Sequence, residues 1–104
     1  MESCRFTAPL WRWKAQDSWF FVTLPDDAAA VVRERPRPPR GFGSVRVRVH
    51  LDDPAGAGAA LVWDTSVFPD SRSGSYVLPV KKQVRVAHDL EEGDPLAIVL
   101  DVLE

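Results

Sequence analysis

A mainly β fold is predicted, a small closed six-stranded β-barrel with two short helices in a single domain of residues 1–104, with a two-sheet β-sandwich as the competing arrangement. Three observations point there. Short runs rich in Val, Phe, Tyr and Trp recur between clusters of Pro, Gly, Asp and Ser, the punctuation of hairpin-linked strands. In Ser44-Val-Arg-Val-Arg-Val-His-Leu51 the residues Val45, Val47, Val49 and Leu51 fall on one face and Arg46, Arg48 and His50 on the other, the pattern of an antiparallel strand with one wet side. Ten aromatics in 104 residues are too many for a disordered chain. Closure into a barrel is the economical end for six such strands because it removes the sheet edges.

Taken in order, Arg5 to Lys14 begins with strand alternation, Phe6, Ala8 and Leu10 sharing a face. Trp11 and Trp13 then take the opposite parity. Either both faces of this strand are covered or a β-bulge near Pro9 shifts the register. Gln16 to Ser18 makes a turn, and Trp19 to Leu24 is a nearly continuous apolar strand. This hairpin holds six of the ten aromatics, expected to fill the core or wall the barrel.

Pro25 to Arg35 reads as a helix, with Pro25, Asp26 and Asp27 suited to its first turn and Arg33 and Arg35 to its last. Pro36 stops it, and Pro36 to Gly43 is a stiff, extended connection. After the Ser44–Leu51 strand, Asp52 to Gly58 forms a hairpin loop. Ala60 to Thr65 and Ser75 to Val80 supply two more strands, joined through a polar turn at Asp70 to Gly74. Pro79 to His88 is a short helix burying Val80, Val84 and Ala87, and Pro95 to Val102 closes the fold.

The net charge of −2 hides an uneven distribution. Six arginines fall between Arg33 and Arg48 against one acid, whereas Asp89 to Glu104 carries six acids and no Lys or Arg. The acidic end argues against a nucleic-acid partner. A single cysteine, Cys4, excludes an internal disulfide, and no stretch has the roughly 20 apolar residues of a membrane span or the look of a secretory leader. A cytoplasmic protein is expected.

Several motifs in order resemble the bacterial family known as domain of unknown function 1905. They are Phe6-Thr-Ala-Pro-Leu-Trp11, Phe21-Val-Thr-Leu-Pro25, Arg40-Gly-Phe-Gly-Ser-Val-Arg-Val47, Thr65-Ser-Val-Phe-Pro69, Leu78-Pro-Val-Lys-Lys82, and Val84-Arg with Glu92-Gly-Asp94. The resemblance implies a small six-stranded barrel and no activity. Some members are fused to a YdeI-like, OmpD-associated domain, for which this chain has no room. Asp64 stands where a basic residue is expected before Thr65, and the Ala55 to Ala59 loop is longer than the family's pattern.

Lysines at the start of the Pro79–His88 helix oppose its dipole by about 0.3–1 kcal/mol each, a cost that a bound anion offsets. An anion site is therefore expected from Lys81, Lys82 and Arg85, with Thr65, Ser66, Arg40 and the glycines Gly41 and Gly43 as companions if their loops share one barrel rim. Val62-Trp-Asp-Thr-Ser66 approaches the Asp-Thr-Gly turn of aspartic proteases but lacks its glycine. Nucleophile-elbow, phosphate-loop and metalloprotease signatures are absent from the sequence, and His50, His88 and Cys4 have no metal-ligand spacing. No metal and no cofactor is expected.

The leading functional expectation is a non-enzymatic binding or accessory module with a basic, loop-lined site for an anionic small molecule or a protein partner. The alternative is a cofactor-free enzyme whose aromatic-lined barrel cavity, walled by Trp11, Trp19 and Trp63, orients an apolar substrate.

Overall fold

The computed structural model describes residues 2–14, 19–34, 43–51 and 61–103. The turn at Gln16 to Ser18, the proline-rich connection with Arg40 and Gly41, and the Asp52 to Gly58 loop lie outside the described residues. Among the described residues the elements are β1 (Ser3–Arg12), β2 (Phe20–Thr23), α1 (Asp26–Arg33), β3 (Val45–Leu51), β4 (Leu61–Asp70), β5 (Ser75–Pro79), α2 (Lys82–Ala87) and β6 (Pro95–Val102). The strands close into one antiparallel barrel in the order β1-β2-β5-β4-β3-β6, so the sandwich alternative falls.

Closure depends on the two longest strands, each dividing its length between two partners. β1 pairs with β6 from Ser3 to Pro9 and with β2 from Leu10 to Arg12. β4 pairs with β3 from Leu61 to Val67 and with β5 from Phe68 to Asp70. Proline marks both transfers. Pro9 faces Pro95 where the β1–β6 ladder ends, and neither has an N–H to extend it. Pro69 sits opposite Tyr76 just beyond the β3 segment. The expected strand ending at Thr65 thus runs five residues further, to Asp70, because β4 exchanges neighbours instead of stopping.

The inward residues form one core. Leu10, Val22, Val45, Val47, Val49, Leu78, Ile98 and Leu100 are each at most 1 % exposed. Each such side chain contributes about 1.5–3 kcal/mol on burial. Parity on β1 is unbroken: Phe6, Ala8 and Leu10 are buried, Trp11 is only half-buried, and no bulge intervenes at Pro9. Neither reading of the tryptophans holds: the register is unshifted, yet the outer face of β1 stays open, with Arg5, Thr7 and Pro9 exposed.

Antiparallel order throughout fixes the two ends. The starts of β1, β3 and β5 share one end with α1, which follows β2 and buries Ala28, Ala29 and Val32. The ends of β1, β3 and β5 share the other with α2, which bridges β5 to β6. α2 is shorter than the predicted Pro79–His88 helix. Pro79 is the last residue of β5, paired with Phe21, and the Val80 N–H continues that ladder to Phe20 O at 2.9 Å. Val80 and Val84 are buried as expected, but Ala87 is exposed, because the helix ends there and the chain turns through Asp89 at φ 51°.

A polar seam runs along the outside of β3, β4 and β6. Arg48 donates to both carboxylate oxygens of Asp64, from Nε at 2.7 Å and Nη2 at 3.1 Å. Asp64 is held below the usual carboxylate range by that hydrogen bond. It lies mid-strand opposite Arg48, not in a turn, and so does not share the geometry of an aspartic protease. Asp101 accepts from the Ser3 hydroxyl at 2.6 Å and lies 2.8 Å from His50 Nε2. Arg48 and His50 on the outer face of β3 are therefore engaged with acids of β4 and β6.

Candidate functional site

Among the described residues the expected rim constellation is not assembled. Gly43, φ 89°, precedes β3 at the α1 end, whereas Lys81, Lys82 and Arg85 follow β5 at the α2 end. Thr65 pairs with buried Val47 and Ser66 with exposed Arg46, so these neighbours point to opposite sides of the barrel wall. Arg40 and Gly41 lie outside the described residues.

The aromatic-walled interior does not form either. Aliphatic side chains of β1, β3, β5 and β6 occupy the axis. Trp11 and Trp19 stand on the outer wall, and Trp63, opposite Val49, is half-buried against the core, its Nε1 buried without an acceptor among the described residues. The reason is parity. Leu10, Val22 and Leu24 take the inward positions of the first hairpin, leaving Trp11 and Phe21 facing out in register with each other.

What the structure does bring together is an apolar cleft of about 490 Å³ on that outer wall, near the α2 end. β2 and the residue before it supply Trp19, Phe20 and Phe21; β4 supplies Phe68; β5 supplies Val77 and Pro79. Phe68 is 43 % and Trp19 48 % exposed. Lys81, the residue capping α2, lines the same cleft and is its only charged wall residue among the described residues. Among the described residues its ammonium makes no ion pair or hydrogen bond.

The wall is stiffened from both sides. The Trp19 ring lies 5.0 Å from Trp13 and 6.5 Å from Phe21, and Phe21 lies 5.1 Å from Trp11, a connected series of four rings. The Arg85 guanidinium sits 3.9 Å from the Phe20 centroid, so α2 clasps the far side of the wall. Of the residues singled out from sequence, Trp19 and Lys81 thus share one cleft and Arg85 braces it. Lys82 is exposed beside them. Phe21, Phe68, Val77 and Pro79 escaped notice because an outward apolar residue in an alternating strand looks like a core residue until the register is known.

The Cys4 thiol is pushed up by burial, then by the charges of Asp27 and Asp101. Among the described residues no three His, Cys, Asp or Glu side chains are grouped as a metal site, and no helix is long and apolar enough to cross a membrane.

No curated protein matches the chain. The family model described as Domain of unknown function (DUF1905) matches residues 6–100, nearly the whole of the barrel, and the chain belongs to that family.

Proposed function

We propose that this protein is a cytoplasmic, non-enzymatic binding module whose ligand is a small molecule with an apolar body and one anionic group. The apolar body occupies the cleft between Trp19, Phe21 and Phe68, and the anion pairs with Lys81. The observation that carries this reading is the placement, among the described residues, of one unshared ammonium in an otherwise apolar cleft of ligand size. Apolar burial supplies most of the affinity, at about 25 cal/mol per Å² of apolar surface covered, less the cost of association. An exposed charge pair adds about 0–1 kcal/mol, so Lys81 orients the ligand more than it holds it.

Titration of tryptophan fluorescence with 3-phenylpropionate and with its neutral amide tests the reading. The acid is expected to bind more tightly than the amide, by about fivefold. Lys81→Ala erases that difference while Phe68→Ala weakens both. Failure of either compound to bind, or equal binding of both to the unaltered protein, overturns it.

A further inference from the structure

A second hollow of about 240 Å³ lies beside the first, lined by Trp11, Asp70, Arg72 and Ser73. Two connections make them neighbours. Trp11 and Phe21 are in register on adjacent strands with their rings 5.1 Å apart, one lining each hollow. Phe68 and Asp70 are two residues apart on β4 and share its outer face, again one in each hollow. Trp11 is held in place because its Nε1 donates to Thr23 Oγ1 at 2.9 Å. Its ring is thus presented as a fixed surface with its polar atom already satisfied.

The two hollows differ in chemistry. Among the described residues Lys81 is the only charge on the first. The second offers both signs: Arg72 is a donor whose side chain is unpaired among the described residues, and Asp70 is an acceptor. Asp70 already accepts from the Ser73 hydroxyl at 2.9 Å and from the Arg72 N–H at 3.3 Å, but a carboxylate has about four acceptor sites and keeps capacity for one more donor. A second bare carboxylate at this end meets Arg72 but is opposed by Asp70. An amide, which donates and accepts through adjacent atoms, satisfies both.

Resting on the binding reading above, we propose that the ligand is a small N-acylated apolar peptide with a free carboxylate. It runs from Lys81 past Phe21 and Phe68 to Trp11, Asp70 and Arg72. The step between the hollows sets its length. Phe68 and Asp70, one in each hollow, stand two residues apart on β4, about 7 Å. An extended chain covers that distance in about two residues.

Three probes test this by calorimetry: 3-phenylpropionate, acetyl-glycyl-glycyl-phenylalanine with its free carboxylate, and the C-terminal amide of the same peptide. The peptide acid is expected to bind about tenfold more tightly than 3-phenylpropionate, and its amide more weakly than the acid. Arg72→Ala, an exposed change, weakens the peptide acid by about threefold to tenfold and leaves 3-phenylpropionate unaffected. If the peptide acid and 3-phenylpropionate bind equally and Arg72→Ala alters neither, the elongated ligand is overturned and the cleft reading stands. If no probe binds, both are overturned.

Discussion

The Arg85 guanidinium lies 3.9 Å from the centre of the Phe20 ring, and that contact ties α2 to the wall of the aromatic cleft. Phe20 itself packs partly against the core, so the pair links helix, cleft and barrel. A partly buried cation over an aromatic face contributes about 0.5–2 kcal/mol. Arg85→Ala is expected to lower the unfolding free energy obtained from urea denaturation by an amount in that range, and Arg85→Lys to recover only part of it, because an ammonium cannot stack as a planar guanidinium does. Equal stability of all three proteins in urea denaturation counts against a bracing role.

Asp101, like Asp64, is expected to make the barrel less stable in acid. Its pKa is lowered first by the Ser3 hydroxyl and then by the hydrogen bond with His50, joining β6 to β1 and β3. A carboxyl depressed in the folded state contributes stability that is present above its unfolded value, about 3.9, and lost as pH falls through the folded one. Asp101→Asn is therefore expected to be less stable than the parent at neutral pH, with the gap closing progressively below about pH 4. Urea midpoints at a series of pH values check this; a gap that stays constant into acid removes Asp101 from the account.

Cys4 should be a slow thiol. Burial and the nearby carboxylates of Asp27 and Asp101 raise its pKa, and only the thiolate is nucleophilic. At neutral pH the folded protein is expected to react with iodoacetamide several-fold more slowly than the same protein in urea. Identical rates, followed by mass spectrometry, would show the thiol unshielded.

Gly74 closes the β4–β5 turn at φ 72°, where any residue with a Cβ is strained. Nothing lies within 4 Å of a Cβ built there, so Gly74→Ala isolates the backbone cost. That cost is expected at about 1–2 kcal/mol, read as a lower thermal midpoint. Ser73→Ala in the same turn removes only the hydroxyl's bonds to Asp70 and to the Ser75 N–H. A Gly74→Ala protein as stable as the parent overturns the strain argument.

Local patterning located the six strands and both helices but not all of their ends: β4 runs on to Asp70 and α2 covers only Lys82–Ala87. It was sharpest in β3, where Val45, Val47, Val49 and Leu51 against Arg46, Arg48 and His50 leave a strand only one way to sit on a core. The prolines were legible only as interruptions. That Pro9 and Pro69 stand where β1 and β4 change partners depends on pairings far apart in sequence, such as Pro9 with Pro95.

The candidate site divides in the same way. Residue types carried the aromatic and cationic ingredients, Trp19, Lys81 and Arg85, but grouped them with the wrong companions. Strand direction sends Gly43 and Lys81 to opposite ends, and pleat sends Thr65 and Ser66 to opposite faces. Which apolar side chains line the axis and which are left outside as Trp11, Phe21 and Phe68 is set by barrel closure. Each strand has one inward face, and register alone chooses the side chains that receive it.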